Sequence, residues 1–235
     1  MRQRAGAFRS NRNDILCCPV EKPRGMGSLP KSCWIVTHGQ DAHATGASRW
    51  GTQLPMSDNK TALRTKMRQL ADKRSGVTAL SASLAKQLRA WPLWQSSGNV
   101  AAFSALVGEP DPLDPWPQDK QIALPRVFGE DLQFHWVGRR AELQPGRFGI
   151  LEPAADAGEA GHDFELILVP GLAFDLRGGR LGRGRGYYDR FLSTARGLRV
   201  GVCFEDQIVD EVPLEHHDLR MDFVVTPDVI SRCGS

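Results

Sequence analysis

The chain has 235 residues, 41% hydrophobic and 24% charged, which fits one α/β domain with or without an extension. No run of about 18 apolar residues occurs, so no membrane span is expected, and the Arg-rich start lacks the apolar stretch a secretory signal needs. The net charge of +3 is uneven: residues 1–55 hold eight bases and three acids, whereas 56–235 hold 22 and 24, so the body has no basic excess for nucleic acid.

Residues 1–55 mix Gly, Pro, Ser, Arg and His with Trp34 and Trp50, and show no sustained period of 2 or 3.6. They read as a disordered extension or as upstream sequence, with Met56 as the authentic start. A transit peptide is the alternative, and Asp14, Glu21 and the Cys17-Cys18 pair speak against it. The five cysteines (Cys17, Cys18, Cys33, Cys203, Cys233) form no paired C-x-x-C and read as thiols of a reducing compartment.

A first helix is predicted over 59–74, with Asp58 able to cap it and Leu63, Met67, Leu70 and Ala71 on one face. A second over 78–91 aligns Leu80, Leu84, Leu88 and Trp91, and Pro92 stops it. Short apolar runs predict buried strands at 99–106, 121–127, 132–137, 164–169, 199–204 and 222–226. The Gly/Ala-rich stretch 151–162 reads as a loop. A helix starting near Tyr187 places Tyr188, Phe191, Leu192 and Ala195 on its apolar side, with Gly197 able to end it. Strands alternating with helices predict an α/β fold with a largely parallel sheet.

The most informative stretch is LILVPGLAFDLRGGRLGRGRGYYDRFL, residues 166–192. A strand ends at Pro170. A loop follows in which Gly178, Gly179, Gly182, Gly184 and Gly186 alternate with Arg177, Arg180, Arg183 and Arg185, and a helix then begins. That arrangement suits phosphate: glycines let the backbone approach an anion, the helix start offers free N–H groups, and arginines offer forked donors. No G-K-[ST] follows, so the loop is not a Walker A motif, and its position late in the chain fits a Rossmann fingerprint poorly. A solvated surface turn and an RNA-binding GRGRG tract are the alternatives on loop composition alone.

Lys60 and Arg64, four residues apart on the first helix, share a face and could clamp a polyphosphate. A solvated cationic stripe continued by Arg68 is the plainer reading. Asp189 lies in the first turn after the glycines. There it would repel a phosphate unless a divalent cation bridged them, or it would serve only the helix dipole. Cys203 reads as core packing, and His216-His217 read as loop residues.

These motifs together resemble the 5-formyltetrahydrofolate cyclo-ligase family. P-G-L-A-F-D at 170–175, R-L-G-R-G-R-G-Y-Y-D-R at 180–190, V-P-L-E-x-x-D at 212–218 and D-F-V-V-T-P at 222–227 carry the resemblance. K-x-x-x-R at 60–64, L-P-R-V at 124–127 and F-G-I-L-E-P at 148–153 fall in the family's order. The likeness spans about 58–228 and leaves 1–55 without a counterpart.

The resemblance implies a three-layer sandwich of the sugar-phosphate isomerase and CoA transferase type, formed by 56–235. It implies an ATP-dependent ligase that closes 5-formyltetrahydrofolate to 5,10-methenyltetrahydrofolate. Lys60 and Arg64 would contact ATP phosphates. Arg180, Leu181, Gly182, Arg183, Gly184, Arg185, Gly186, Tyr187 and Tyr188 would form the ATP loop, with Arg183 and Arg185 nearest the transferred phosphate. Asp189 and Asp218 would hold Mg²⁺. Phe103, Ser104 and Glu109 would meet the folate; the family often has tyrosine where Phe103 stands, so a stacking surface is kept and a hydroxyl lost. A cytoplasmic monomer without nucleic-acid or membrane partners is expected. The competing class is a non-catalytic nucleotide- or RNA-binding relative, which the joint presence of Lys60, Glu109, Asp189 and Asp218 disfavours.

A chain beginning at Met56 is expected to match the full chain in melting temperature and to agree within about twofold in kcat/KM, well under 1.4 kcal/mol. Loss of activity or aggregation on truncation would refute the reading of 1–55.

Overall fold

The computed structural model describes residues 56–215 and 218–234. The expectations for residues 1–55 and for His216 and His217 lie outside them, and Asp58, expected as a cap, falls within the first turn of a helix that already begins at Met56. In chain order come α1 (Met56–Lys73), α2 (Val77–Ala90), α3 (Pro92–Ser96), β1 (Asn99–Ala101), β2 (Gln121–Phe128) and β3 (Asp131–Val137). Then follow β4 (Gln144–Pro145), β5 (Leu151–Glu152), β6 (Asp163–Pro170), β7 (Ala173–Phe174) and β8 (Arg180–Leu181). The last are α4 (Tyr187–Thr194), β9 (Arg196–Val202), β10 (Phe223–Val225) and β11 (Ile230–Arg232).

Seven strands form one sheet in the order β11-β10-β9-β6-β1-β2-β3. The five inner strands run parallel, and the edge strands β3 and β11 are antiparallel to their neighbours. The α/β expectation with a largely parallel sheet therefore holds. β2 and β3 join through Gly129-Glu130, and Gly129 takes φ 61°, as a tight hairpin turn requires.

Strand periodicity assigns the two faces of the sheet. Val100, Ile122, Leu124, Leu166, Leu168, Val200 and Val202 are buried on one face with Leu84 and Leu88 of α2 and Trp94 of α3. Ala101, Ala123, Phe134, Ile167 and Val169 are buried on the other with Phe191 and Leu192 of α4. Phe134 and Phe191 stack at 4.1 Å between ring centres, fixing α4 against β3. Helices thus cover both faces. A third cluster joins Met67 of α1 to Leu172, Ala173, Leu181 and Val212.

Several boundaries differ from the sequence expectation. The run 99–106 is a strand only over Asn99–Ala101, with Ala102 adding one bond to Ala123. Beyond it a turn closes from Leu106 to Glu109, with Gly108 at φ 85°. The helix after Tyr187 ends at Thr194, and Gly197 lies inside β9. Gly197 has φ 138°, and a Cβ there would meet the Phe164 carbonyl at 2.4 Å, so close backbone approach explains this glycine. The stretch 171–181, expected as open loop, contains the β7–β8 hairpin.

That hairpin also claims two glycines expected to serve phosphate. Asp175, 1% exposed, accepts backbone N–H bonds from Arg177, Gly179 and Val212. Gly178 has φ 91°, and a Cβ would lie 2.5 Å from the Met221 carbonyl. Gly178→Ala is expected to cost about 3 kcal/mol through backbone strain and overlap. That lowers Tm on the order of 10 °C. A Tm within about 2 °C of wild type would show that the turn accepts a side chain.

Candidate active site

The chain passes from β1 to β2 on one side and later from β6 to β9 and β10 on the other, so the strand order reverses between β1 and β6. Beyond the carboxyl ends of such strands, α/β sheets place their ligands. A cavity of about 410 Å³ lies there. Phe103 and Ser104 border it after β1, and Pro170 and Gly171 border it at the end of β6.

Its lining mixes two chemistries. Phe103, Leu106, Pro125, Val127, Leu132 and Ile150 are apolar. Arg180, Arg183, Arg185 and Asp189, from the stretch that carries Gly182, Gly184 and Gly186, are charged, as are Glu109 and Glu152. Gly184 (φ 98°) and Gly186 (φ 71°) adopt the left-handed conformation that lets the loop fold back into the start of α4. Among the charged residues Glu109 and Arg183 are paired: Arg183 donates at 3.1 Å from Nε and 2.5 Å from Nη2.

The other predicted charges are paired as well. Lys60 is buried and donates to Asp218 at 2.6 Å and to Glu215 at 2.9 Å. It is therefore no solvated stripe. Arg64 Nε donates to the Gly182 carbonyl at 3.1 Å, and Arg68 reaches the Arg183 carbonyl at 3.4 Å. One face of α1 thus braces the glycine loop. Arg180, its side chain 5% exposed, is paired with Asp189. Lys60, Arg64 and Asp218 are not among the residues bordering the cavity. Leu181 turns its side chain into the third core cluster, leaving its backbone to the loop.

Asp189 and Asp218 sit in separate ion pairs, and among the described residues no group of three or more His, Cys, Asp or Glu forms a metal cluster.

Sequence reading missed the fasteners. Arg74 makes a forked pair with Asp206 at 3.0 and 2.7 Å and donates to the Gly108 carbonyl at 2.7 Å, which positions the Glu109 turn. Arg190 bonds Asp131 at 3.0 Å and the Arg185 carbonyl at 3.4 Å, tying the loop to the β2–β3 hairpin. Nothing in their spacing marks either residue. Cys203 is fully buried, as expected, and burial pushes its thiol well above the ordinary range.

The fold and its cavity define an α/β protein with a pocket at the strand switch point, lined both by apolar side chains and by a Gly/Arg loop. The sequence profile of the 5-formyltetrahydrofolate cyclo-ligase family matches residues 56–227. A probable 5-formyltetrahydrofolate cyclo-ligase of Schizosaccharomyces pombe is 30% identical over 66% of this chain and 88% of its own. The cyclo-ligase of Mycolicibacterium smegmatis is 35% identical over 72% of this chain and 94% of its own. The structure of Aquifex aeolicus 5,10-methenyltetrahydrofolate synthetase superposes with a TM-score of 0.68 at 35% identity, covering 74% of this chain and 92% of that one. The chain belongs to the 5-formyltetrahydrofolate cyclo-ligase family and is a ligase.

Burial alone would lower the Lys60 pKa, but hydrogen bonds and charges from Asp218 and then Glu215 outweigh it and hold the value above 10.5. A raised pKa stabilises the fold below the unfolded value and loses that contribution as pH rises through the folded one. Lys60→Met is expected to lose roughly 2 kcal/mol at pH 8. The gap to wild type, read from urea unfolding, is expected to shrink above pH 10.5. A gap constant to the highest accessible pH would remove the ion pair from the stability of the fold.

Proposed function

We propose that this chain uses ATP to close 5-formyltetrahydrofolate to 5,10-methenyltetrahydrofolate, releasing ADP and phosphate, with residues 56–235 as the catalytic domain. The observation that carries this reading is the cavity at the strand switch point, lined by apolar side chains and by the Gly/Arg loop, with the Glu109–Arg183 pair on its border. The apolar lining suits a reduced pteridine and its aromatic tail. The charged lining suits a triphosphate.

The formamide on N5 is a poor electrophile. Its oxygen attacks the γ-phosphorus of ATP, and the bond to ADP breaks. N10 then attacks the formyl carbon and loses its proton. The C–O bond breaks, phosphate leaves, and the N5–C–N10 cation remains. No side-chain nucleophile is needed; positioning and charge neutralisation lower the barrier. In this reading Arg183 and Arg185 meet the phosphoryl group in transit, while Gly182, Gly184 and Gly186 let the backbone approach it. Lys60 and Arg64 serve the outer phosphates, and Phe103, Ser104 and Glu109 serve the folate. Asp189 and Asp218 would hold Mg²⁺ together with the phosphates, and the ion would supply neutralising charge there. The near balance of 22 bases and 24 acids over 56–235 supports a small-molecule partner rather than nucleic acid. A cytoplasmic monomer is the accompanying proposal.

The decisive experiment follows methenyltetrahydrofolate by absorbance with purified protein, ATP and Mg²⁺. Product is expected only when 5-formyltetrahydrofolate, ATP and Mg²⁺ are all present. ATP hydrolysis independent of the folate, or no product at all, would overturn the reading. Arg185→Ala is expected to lower kcat about a hundredfold, or about 3 kcal/mol, with little change in folate KM. Near-wild-type kcat would take Arg185 out of the phosphoryl path.

A further inference from the structure

The turn 106–109 carries one of the carboxylates at the cavity border, and packing does not hold its tip. It closes on itself: the Glu109 N–H donates to the Leu106 carbonyl at 2.9 Å, and the Leu106 N–H donates to Glu109 Oε2 at 3.1 Å. Val107 at the tip is fully exposed. Gly108 takes φ 85°, a conformation that side-chain-bearing residues rarely adopt. Among the described residues, the only hydrogen bond that reaches the backbone of 106–108 from outside the turn is the one Arg74 donates to the Gly108 carbonyl, at 2.7 Å.

Arg74 is itself held. It lies one residue past α1, and its backbone N–H donates to the Ala71 carbonyl at 3.1 Å. Its guanidinium forks onto Asp206 at 3.0 and 2.7 Å and lies 4.8 Å from the centre of the Phe204 ring. The side chain is 5% exposed. A planar guanidinium fixed by a fork and a ring aims its remaining N–H at one point. α1 and the residue after it therefore hold two parts of the cavity border. Arg64 and Arg68 hold the Gly182 and Arg183 carbonyls, and Arg74 holds the Gly108 carbonyl. The Glu109–Arg183 pair is thus tied at both ends to one helix.

We propose that Arg74 is a positioning residue that acts through Glu109, fixing that carboxylate at the cavity border where the folate is to meet it. This rests on the cyclo-ligase reading above, in which Glu109 serves the folate. A carboxylate already set in place needs less ordering when its partner arrives. The contribution of Arg74 therefore falls on folate affinity, not on ATP. A fastener that served the fold alone would weaken both ligands together.

The test uses the full chain. Wild-type turnover of 5-formyltetrahydrofolate with ATP and Mg²⁺ is measured first; its absence would sink the cyclo-ligase reading itself, separately from this one. Arg74→Met is expected to raise the folate KM about tenfold, while kcat at saturating folate falls less than about threefold. Asp206→Asn changes a partly exposed acid, weakens the fork and leaves Arg74 in place. It is expected to raise the folate KM about threefold. Calorimetry then gives Kd for 5-formyltetrahydrofolate and for a non-hydrolysable ATP analogue in each variant, alone and combined with Glu109→Gln. In both single variants the ATP analogue is expected to stay within about twofold of wild type. Beside Glu109→Gln, the folate losses are expected to shrink below about twofold, because the carboxylate they act through has gone. A folate Kd unchanged by either substitution overturns the proposal. So does an equal loss for the ATP analogue, or a folate loss that persists in full beside Glu109→Gln. If Arg74→Met does not fold, Asp206→Asn decides by the same comparison.

Discussion

Holding several positive charges together without a ligand is the constraint on which the site depends. Arg180, Arg183 and Arg185 all border one cavity, and Arg64 and Arg68 reach the same loop from α1, which also carries Lys60. Two unit charges 4 Å apart repel by about 4 kcal/mol at an effective dielectric of 20. The chain meets this by pairing: Lys60 with Asp218 and Glu215, Arg180 with Asp189, Arg183 with Glu109. Arg64 is instead spent on the Gly182 carbonyl. Each pair also restrains a side chain that would otherwise sample many rotamers.

The fold supplies the acids from different directions. Glu109 comes from the turn after β1, Asp189 from the first turn of α4, and Asp218 from the segment before β10. The β7–β8 hairpin is the hub. Asp175 holds its turn and, through Val212, the segment that leads to Asp218. Leu181 anchors the same hairpin against Met67 of α1, which is the helix that carries Lys60 and Arg64. Packing therefore sets the spacing between loop, helix and acid, and the ion pairs finish the alignment.

The sequence revealed the parallel strands because each is a short apolar run closed by Gly, Pro or a charge, as at 121–127 and 164–169. It revealed the glycine loop because alternating Gly and Arg between a strand and a helix has few other uses. It did not reveal the pairs. Lys60 and Asp218 lie 158 residues apart, and Arg183 and Glu109 lie 74 apart, so no local period couples them. Nor could composition separate Gly178 and Gly179, which serve a hairpin turn, from Gly184 and Gly186, which shape the cavity wall. Two-residue strands such as β7 and β8 leave no alternation to read. Their existence depends on Asp175, a buried carboxylate whose three partners are all backbone groups.

Pairing also bears on the chemistry. Cys203, the buried thiol near the sheet's end, is sealed in the core with its pKa raised, so it is no thiolate nucleophile. The charged wall is what the cavity offers instead. An arginine held by a carboxylate is half-neutralised, and its field recovers as the carboxylate turns to another partner. Glu109 is such a carboxylate: Arg183 takes one of its oxygens, while the Leu106 N–H takes the other at 3.1 Å.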